Sequence, residues 1–213
     1  AVPRGSRKMR PKISIIIPVY NGMPYIRKCI ESAMAQTLKD IEILVINDGS
    51  TDGTEEIILD CMKTNPKIRY IKQENRGLYQ TRSRGIREAK GEYLGWIDAD
   101  DFVAPDMYEK LYCLAEKNNS DIAYCDYAFY PQKIGTKEKW FRKYKGSADT
   151  SFVERNSQWW NKIVRRDVLI ENEIDDGVCG QRELKDWMQS VIVEGEEEIF
   201  NTALDTIIGK CTE

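Results

Sequence analysis

Three acidic residues directly follow a short hydrophobic run in the middle of the chain. Asp98, Asp100 and Asp101 come after residues 93–97, which have the composition of a buried strand. Carboxylates this close together repel one another and need a counter-charge. A divalent cation supplies that charge, and Mg²⁺ usually shares one or two carboxylates with substrate phosphates. The alternative is that one aspartate caps the helix predicted to begin near Pro105 and that the others are solvated.

A second polar turn, residues 47–53, reads Asn-Asp-Gly-Ser-Thr-Asp-Gly and allows three interpretations. It fits a simple strand-to-helix turn with capping side chains. A calcium loop is the second interpretation, but Leu59 stands where the twelfth position requires a bidentate glutamate. The third is a nucleotide-binding turn in which the Asp48 carboxylate accepts an N–H of the base. Taken alone, the sequence of this segment favours the simple turn.

These turns lie at the ends of predicted strands in an alternating pattern. Strands are predicted to begin at residues 13, 41, 68 and 93, with one helix after each, and a fifth strand at 122–125. Pro24 is predicted to open the first helix and Gly91 to close the third. Residues 159–171 are predicted to be helical. Strands that alternate with single helices indicate βαβ units and a parallel sheet, whose ligands bind outside the carboxyl ends of the strands.

Length and charge narrow the class of protein. The chain has 213 residues, 41% of them hydrophobic and 31% charged, as in a globular domain. Residues 1–12 carry five basic residues and no acid, and residues 1–11 resemble the remnant of an expression tag. Without residues 1–12 the chain has 27 basic and 35 acidic residues, a net charge of −8. This acidic body argues against nucleic acid as a partner.

Two residue types limit the chemistry. The chain has no histidine, so any acid–base or metal chemistry must use carboxylates. The six cysteines are at least twelve residues apart, which excludes a CxxC redox site and a compact zinc knuckle. We therefore expect reduced, buried cysteines in a cytoplasmic protein.

Four segments together resemble family 2 glycosyltransferases with the GT-A fold. They are ISIIIPVYN (13–21), ILVINDGSTDGT (43–54), QENRGLYQTRSRGI (73–86) and GEYLGWIDADD (91–101). They occur in the family's order and spacing and cover about residues 12–128. The resemblance implies an α/β fold with a Rossmann-like, mostly parallel sheet and helices on both faces. Residues 12–128 would form the nucleotide-sugar-binding half, and residues 129–213 an acceptor-side extension of the same domain.

The resemblance also implies roles for individual residues. Pro18, Val19 and Tyr20 would line the nucleobase pocket, with Ala99 near the nucleotide and Asp48 accepting a hydrogen bond from the base. Arg76 would lie beside the base or the diphosphate, with Arg82 a weaker candidate. Asp98 would face the ribose and the metal, and Asp100 would be the principal ligand of Mg²⁺ or Mn²⁺. Asp186 would be the general base.

The chain departs from the family pattern at three places. Asn47 replaces the first aspartate of the usual Asp-Asp-Gly-Ser, which keeps hydrogen-bonding ability but loses a charge. Arg76 stands where the family often has a small residue. Lys185 replaces a glutamate before Asp186 and should lower the pKa of that carboxyl, so Glu183 and Asp175 are rival bases. Trp159, Trp160 and Trp187 could stack on an acceptor sugar, although buried aromatic residues are commoner.

The predicted function is a metal-dependent, inverting transfer of sugar from a nucleoside-diphosphate sugar, with a UDP-sugar favoured. The acceptor would be a hydroxyl of a glycan or lipid-linked molecule in bacterial surface polysaccharide synthesis. The alternatives are a nucleotide-binding module with weak catalysis and a metal-dependent nucleotide-sugar hydrolase. From the resemblance we expect peripheral association with the inner face of the membrane, through a part beyond residue 213, and a homodimer.

Overall fold

Strands and helices alternate through most of the computed structural model, which describes residues 10–125 and 159–171. The strands are β1 (Ile13–Val19), β2 (Ile41–Asn47), β3 (Ile68–Lys72), β4 (Tyr93–Trp96), β5 (Ile122–Tyr124) and β6 (Lys162–Arg165). The helices are α1 (Ile26–Met34), α2 (Thr54–Thr64), α3 (Leu78–Glu88), α4 (Met107–Asn118) and α5 (Arg166–Glu171). Among these described helices, none is both long and apolar enough to cross a bilayer.

The six strands form one mixed sheet in the order β3-β2-β1-β4-β6-β5. The neighbouring pairs β3–β2, β2–β1 and β1–β4 are parallel, as the alternating pattern predicts. Strand β6 is antiparallel to both β4 and β5. The predicted α/β fold with a mostly parallel sheet is therefore confirmed.

Helices cover both faces of this sheet. On one face, Ile15, Ile43 and neighbouring strand residues pack against buried residues of α1, α2 and α4. On the other face, Ile16, Leu44 and Trp96 pack against α3 and α5. Strands β1 and β2 are buried along their whole length, since a parallel sheet covered on both faces leaves neither face to solvent.

The predicted helix at 159–171 is wrong in its first half. Residues 162–165 form strand β6, and only Arg166–Glu171 is helical. Ile163 and Val164 are both fully buried, and they belong to the cores on opposite faces of the sheet. In a strand, adjacent residues face opposite sides of the sheet, as Ile163 and Val164 do. A run of only four residues is too short for its apolar pattern to distinguish a strand from a helix.

Two predicted helix boundaries also differ from the structure. Helix α1 begins at Ile26, so Pro24 lies in the preceding loop and not in the first turn. Helix α3 ends at Glu88 with Ala89 in an extended conformation, so Gly91 does not close it. A Cβ at Gly91 would lie 2.4 Å from the backbone nitrogen of Ser14, so glycine is needed here for close packing on β1.

The cysteines within the described ranges are free thiols, as predicted. Cys29 and Cys61 are buried, and Cys125 is partly buried. Cys113 is exposed on α4, against the expectation of a buried position. Burial raises the pKa of the Cys61 thiol, which makes it unreactive at neutral pH.

Candidate functional site

The carboxyl ends of β1, β2 and β4 form one edge of the sheet, and the turns that follow them meet there. Strand β1 lies between the other two, with Val19 beside Asn47 and Ile16 beside Trp96. A Cβ added to Gly22 would lie 3.6 Å from the Cβ of Ala99, so the turn after β1 is close to the turn after β4. The three turns therefore gather as the sequence predicts.

The turn after β2 holds the loop after β1 through side-chain hydrogen bonds. Asn21, at a φ of 51°, accepts a hydrogen bond from Thr51 N–H and donates its own N–H to Ser50 Oγ, both at 2.9 Å. Gly22 N–H donates to Thr54 Oγ1, also at 2.9 Å. The polar residues of this turn thus build the loop, in keeping with the simple-turn interpretation.

This loop presents one aromatic ring at the edge. Tyr20 is 52% exposed, whereas Pro18 and Val19 are buried at the end of β1. The Val19 side chain belongs to the core, and its carbonyl accepts the Asp48 N–H at 2.8 Å. Of the three residues predicted to line a nucleobase pocket, only Tyr20 has an open side chain.

Asp48 is almost fully buried and already holds three hydrogen bonds. Its Oδ1 accepts from Gln73 Nε2 at 2.7 Å and from Arg76 N–H at 2.9 Å, and its Oδ2 accepts from Gly77 N–H at 2.9 Å. Gly77 precedes α3 at a φ of 86° and has no side chain to cap the helix. Asp48 therefore caps α3 from the neighbouring strand, a role that we did not predict from the sequence.

Asn47 is fully buried, and both ends of its amide are hydrogen-bonded within the protein. Its Nδ2 donates to Tyr70 Oη at 3.0 Å, and its Oδ1 accepts from Ser50 N–H at 2.9 Å. The Tyr70 hydroxyl in turn donates to Glu55 Oε1 at 2.9 Å. The hydrogen-bonding ability predicted for this asparagine is used inside the protein.

The acidic turn after β4 has a counter-charge from the protein itself. Arg82 Nη2 lies 2.5 Å from Asp98 Oδ1, with the two side chains 10% and 28% exposed. Arg82 thus contacts the acidic turn directly. The expectation that three carboxylates need a positive charge is met in part by this arginine.

The other two acids of this turn face solvent. Asp100 and Asp101 are exposed, and Asp101 N–H donates to Asp98 O at 2.9 Å, which closes the turn. Partial loss of hydration, and then the charges of Asp100 and Asp98, raise the pKa of Asp101. The carboxylates of the turn are therefore close enough to repel one another.

The acidic turn fits a divalent cation that is shared with a substrate. In the described part of the chain, no three acidic or cysteine side chains converge into a ready-made metal site. Asp98 gives one oxygen to Arg82, while Asp100 is exposed. Mg²⁺ commonly takes one or two carboxylates and completes its shell with waters and phosphates. The residues present match that pattern and do not form an all-protein cage.

Other predicted residues divide into three groups. Arg76 is exposed, and its backbone N–H is bound to Asp48.

Trp159 is buried against Trp96 with ring centroids 4.5 Å apart, so it does not present a sugar-stacking surface. Asp186, Asp175, Glu183, Lys185 and Trp187 lie outside the described residues.

The burial of Lys162 was not predicted from the sequence. Lys162 is fully buried in β6, and its Nζ donates to Asn161 Oδ1 at 2.8 Å. Loss of hydration lowers its pKa to about 7. Only the strand assignment of residues 162–165 would have indicated burial, because a charged residue on a short helix is normally solvated.

Comparison with known proteins identifies the family. EpsJ of Bacillus subtilis, named an uncharacterized glycosyltransferase, is 37% identical over 178 residues, which are 76% of this chain and 50% of EpsJ. Chondroitin synthase of Escherichia coli is 41% identical over 109 residues, 51% of this chain and 16% of that protein.

The fold is shared with S. aureus TarS 1–349 in complex with UDP-GlcNAc, at a TM-score of 0.65 and 22% identity. That match covers 76% of this chain and 48% of the TarS chain, so the chain spans at most about half of these relatives. The family model for Glycosyl transferase family 2 matches residues 14–171. The chain therefore belongs to glycosyl transferase family 2.

Proposed function

We propose that the chain transfers a sugar from a nucleoside-diphosphate sugar, with a UDP-sugar favoured, to an acceptor hydroxyl. The observation that carries the proposal is the meeting of Tyr20, Asp48 and the acidic turn 98–101 at one sheet edge. An aromatic ring, an acceptor for a base N–H and hard oxygen ligands are what a nucleoside diphosphate with its cation requires. Family membership and the TarS complexes with UDP-GlcNAc and UDP support the proposal.

The nucleoside end of the donor would bind beside β1 and β2. The Tyr20 ring and the backbone of Pro18 and Val19 would line the base pocket, and Arg76 would lie beside the base or diphosphate. Asp48 has three hydrogen bonds, and a carboxylate offers about four lone-pair directions. The remaining direction suits the ring N–H of uracil and disfavours cytosine, whose corresponding nitrogen is an acceptor.

The diphosphate end would bind at the acidic turn. Asp98 would face the ribose and the cation, Ala99 would lie against the nucleotide, and Asp100 would be the principal ligand of Mg²⁺ or Mn²⁺. When bound, such a cation neutralises the charge that develops on the departing diphosphate. Ala99 stands between the two acids in sequence, and its small side chain would leave room for the ligand.

The acceptor would be a hydroxyl of a glycan or lipid-linked molecule in surface polysaccharide synthesis. Asp186 would take the hydroxyl proton while the oxygen attacks the anomeric carbon from the face opposite the diphosphate, which inverts the configuration. This assignment rests on the family resemblance, because Asp186 lies outside the described residues. Glu183 and Asp175 remain the rival bases.

Thermal unfolding with nucleotides tests the donor site. The melting temperature is measured with UDP, GDP, dTDP and CDP, each with and without Mn²⁺. A ligand at 100 times its Kd stabilises by about 2.7 kcal/mol. At about 2–4 °C per kcal/mol for a chain of this size, the melting temperature should rise by roughly 5–11 °C. We expect the largest Mn²⁺-dependent shift with UDP and its loss in Asp100→Ala.

A matched control is Asp60→Ala, because Asp60 lies on α2 and is also an exposed aspartate. That variant should keep the nucleotide shift of the wild type. No shift with any of the four nucleotides in the wild-type chain would contradict the proposed function.

A further inference from the structure

We propose that Arg82 is a positioning residue whose ion pair fixes Asp98 for the nucleotide and prevents tight cation binding before the nucleotide arrives. The proposal rests on the proposed function, in which the acidic turn receives a nucleoside diphosphate and a divalent cation. The new element is an order of binding: the nucleotide binds first and promotes binding of the cation. This order depends on the Arg82 side chain of α3.

The contact itself is short and shielded from solvent. Arg82 Nη2 and Asp98 Oδ1 are 2.5 Å apart, and the arginine side chain is nine-tenths buried. Exposed ion pairs contribute little because water and salt screen them, but a pair at this depth is screened much less. Arg82 is therefore a fixed part of the acidic turn and not a passing surface contact.

Helix α3 holds Arg82 in place from two sides. Asp48 binds the backbone N–H groups of Arg76 and Gly77 at the start of the helix. Gly85, one turn after Arg82, packs so closely on β1 that a Cβ would lie 2.5 Å from Ile16 Cγ2. The helix can neither slide nor lift without breaking one of these contacts, so the guanidinium is pre-positioned.

The ion pair lowers the attraction of the turn for a free cation. It occupies one oxygen of Asp98 and neutralises the charge of that carboxylate within the acidic turn. A divalent cation arriving alone meets the guanidinium charge and is left mainly with the exposed carboxylates. This agrees with the lack of a converged three-ligand group among the described residues.

Arg82 also has donors to spare for an oxygen-rich ligand. A guanidinium has five N–H donors, and one hydrogen bond, to Asp98, is made to the described residues. The buried Nε has no hydrogen-bond partner there. A small rotation toward phosphate or ribose oxygens would satisfy further donors while keeping Asp98 bound. The same side chain that repels a lone cation would thus favour the nucleotide.

The test is the effect of Arg82→Met on two affinities of the full chain. Mn²⁺ binding without nucleotide is measured from the EPR signal of free Mn²⁺, and UDP binding at saturating Mn²⁺ is measured by calorimetry. We expect nucleotide-free Mn²⁺ to bind at least about threefold more tightly, because a competing positive charge is removed. UDP should bind at least about tenfold more weakly, because a charged hydrogen-bonding group is lost.

Two further variants separate this role from a loss of folding. Arg87→Met makes the same change further along α3, where the Arg87 guanidinium donates to Ser83 Oγ, and both affinities should match wild type. Arg82→Lys keeps the charge but loses the planar fork, so Mn²⁺ affinity should stay near wild type while UDP affinity recovers only in part. Circular dichroism of each variant checks the fold.

Opposite signs for the two affinities of Arg82→Met support the proposal. Parallel weakening of both, or no change in either, overturns it, because a merely structural residue would not strengthen cation binding. If Arg82→Met does not fold, Arg82→Gln replaces it, because glutamine removes the charge but keeps a polar side chain at this buried position. The same opposite changes in the two affinities are expected, and the same two outcomes overturn the proposal.

The two proposals can fail separately. If wild-type protein binds none of the four nucleoside diphosphates in the presence of Mn²⁺, the proposed function fails, and the nucleotide-free Mn²⁺ measurements still decide the role of the ion pair. If wild type binds UDP and Arg82→Met binds UDP and Mn²⁺ equally well, only the role of Arg82 falls.

Discussion

Asn47 and Asp48 are adjacent at the end of β2, and their side chains bind different parts of the protein. The Asn47 amide lies inside and uses its donor for the Tyr70 hydroxyl. Asp48 points to the other side of the strand, where its carboxylate caps α3. A carboxylate suits position 48 because all three of its partners are donors. An amide suits position 47 because the single proton of the Tyr70 hydroxyl is already donated to Glu55, so the Tyr70 oxygen needs a donor.

The change Asn47→Asp should destabilise the protein, although aspartate is common at this position in the family. It would bury a second carboxylate against the Tyr70 hydroxyl, which has no further proton to donate. We expect a loss of about 1–3 kcal/mol in the free energy of unfolding, the usual effect of an unsatisfied buried polar group. Urea denaturation at neutral pH measures this loss.

Glu55→Gln provides the matched control for this prediction. In the Asn47→Asp/Glu55→Gln double variant one carboxylate is again present, and the glutamine amide can donate to the Tyr70 oxygen. The double variant should recover most of the lost stability. If Asn47→Asp alone is as stable as wild type, the Tyr70 hydroxyl is not the reason for the asparagine.

Among the elements, α3 connects the two halves of the candidate site. Its first turn is bound by Asp48 at the end of β2, and its second turn carries Arg82 to Asp98 at the end of β4. Gly85 lets the helix approach β1 closely enough for Arg82 to reach the acidic turn. The spacing of these three contacts along one helix determines how the nucleobase and diphosphate regions are separated.

Replacing Gly85 with alanine tests that close approach. Helix propensity alone predicts a gain of about 1 kcal/mol for this change in a helix interior. We expect instead a loss of about 1–3 kcal/mol, because the new Cβ would lie 2.5 Å from Ile16 Cγ2 and force α3 outward. Chemical denaturation gives the sign of the change, and the sign alone decides which effect is larger.

Gly53→Ala is the control of the same type. Gly53 is the N-cap of α2, and a Cβ there would have Met23 Cγ at 3.4 Å as its nearest neighbour. The change should therefore cost no more than the weaker cap, about 0.5–1 kcal/mol. A stability gain in Gly85→Ala would show that α3 can move away from β1 without cost.

At the scale of the whole molecule, sequence patterns predicted local structure better than long-range pairing. Strands β1 to β4 and their turns were predictable because each βαβ unit contains its own apolar run and its own turn residues. Strand β6 was not, because its four residues carry too short a pattern and its partners lie at residues 93–95 and 122–124. The capping role of Asp48 could not be predicted for the same reason, because its partners at residues 73–77 are distant from it in the sequence.

This long-range pairing makes the first half of the chain dependent on the later segment. Strand β6 fills the gap between β4 and β5, and Trp159 covers Trp96. A chain that stops at residue 128 would expose Leu94 and Trp96 and lose the burial of Ile163 and Val164. Each such side chain contributes about 1.5–3 kcal/mol, so their combined loss approaches the total stability of a domain, about 5–15 kcal/mol.

We therefore expect residues 10–128 alone to show no cooperative thermal unfolding transition and to bind a hydrophobic dye at 25 °C. The same chain extended to residue 171 should unfold cooperatively, because it contains β6 and α5. Near-ultraviolet circular dichroism provides a second measurement, since Trp96 loses its fixed neighbour Trp159 in the shorter chain. A cooperative transition in residues 10–128 would mean that the parallel strands β1 to β4 are sufficient for folding and that β6 only extends a sheet already formed.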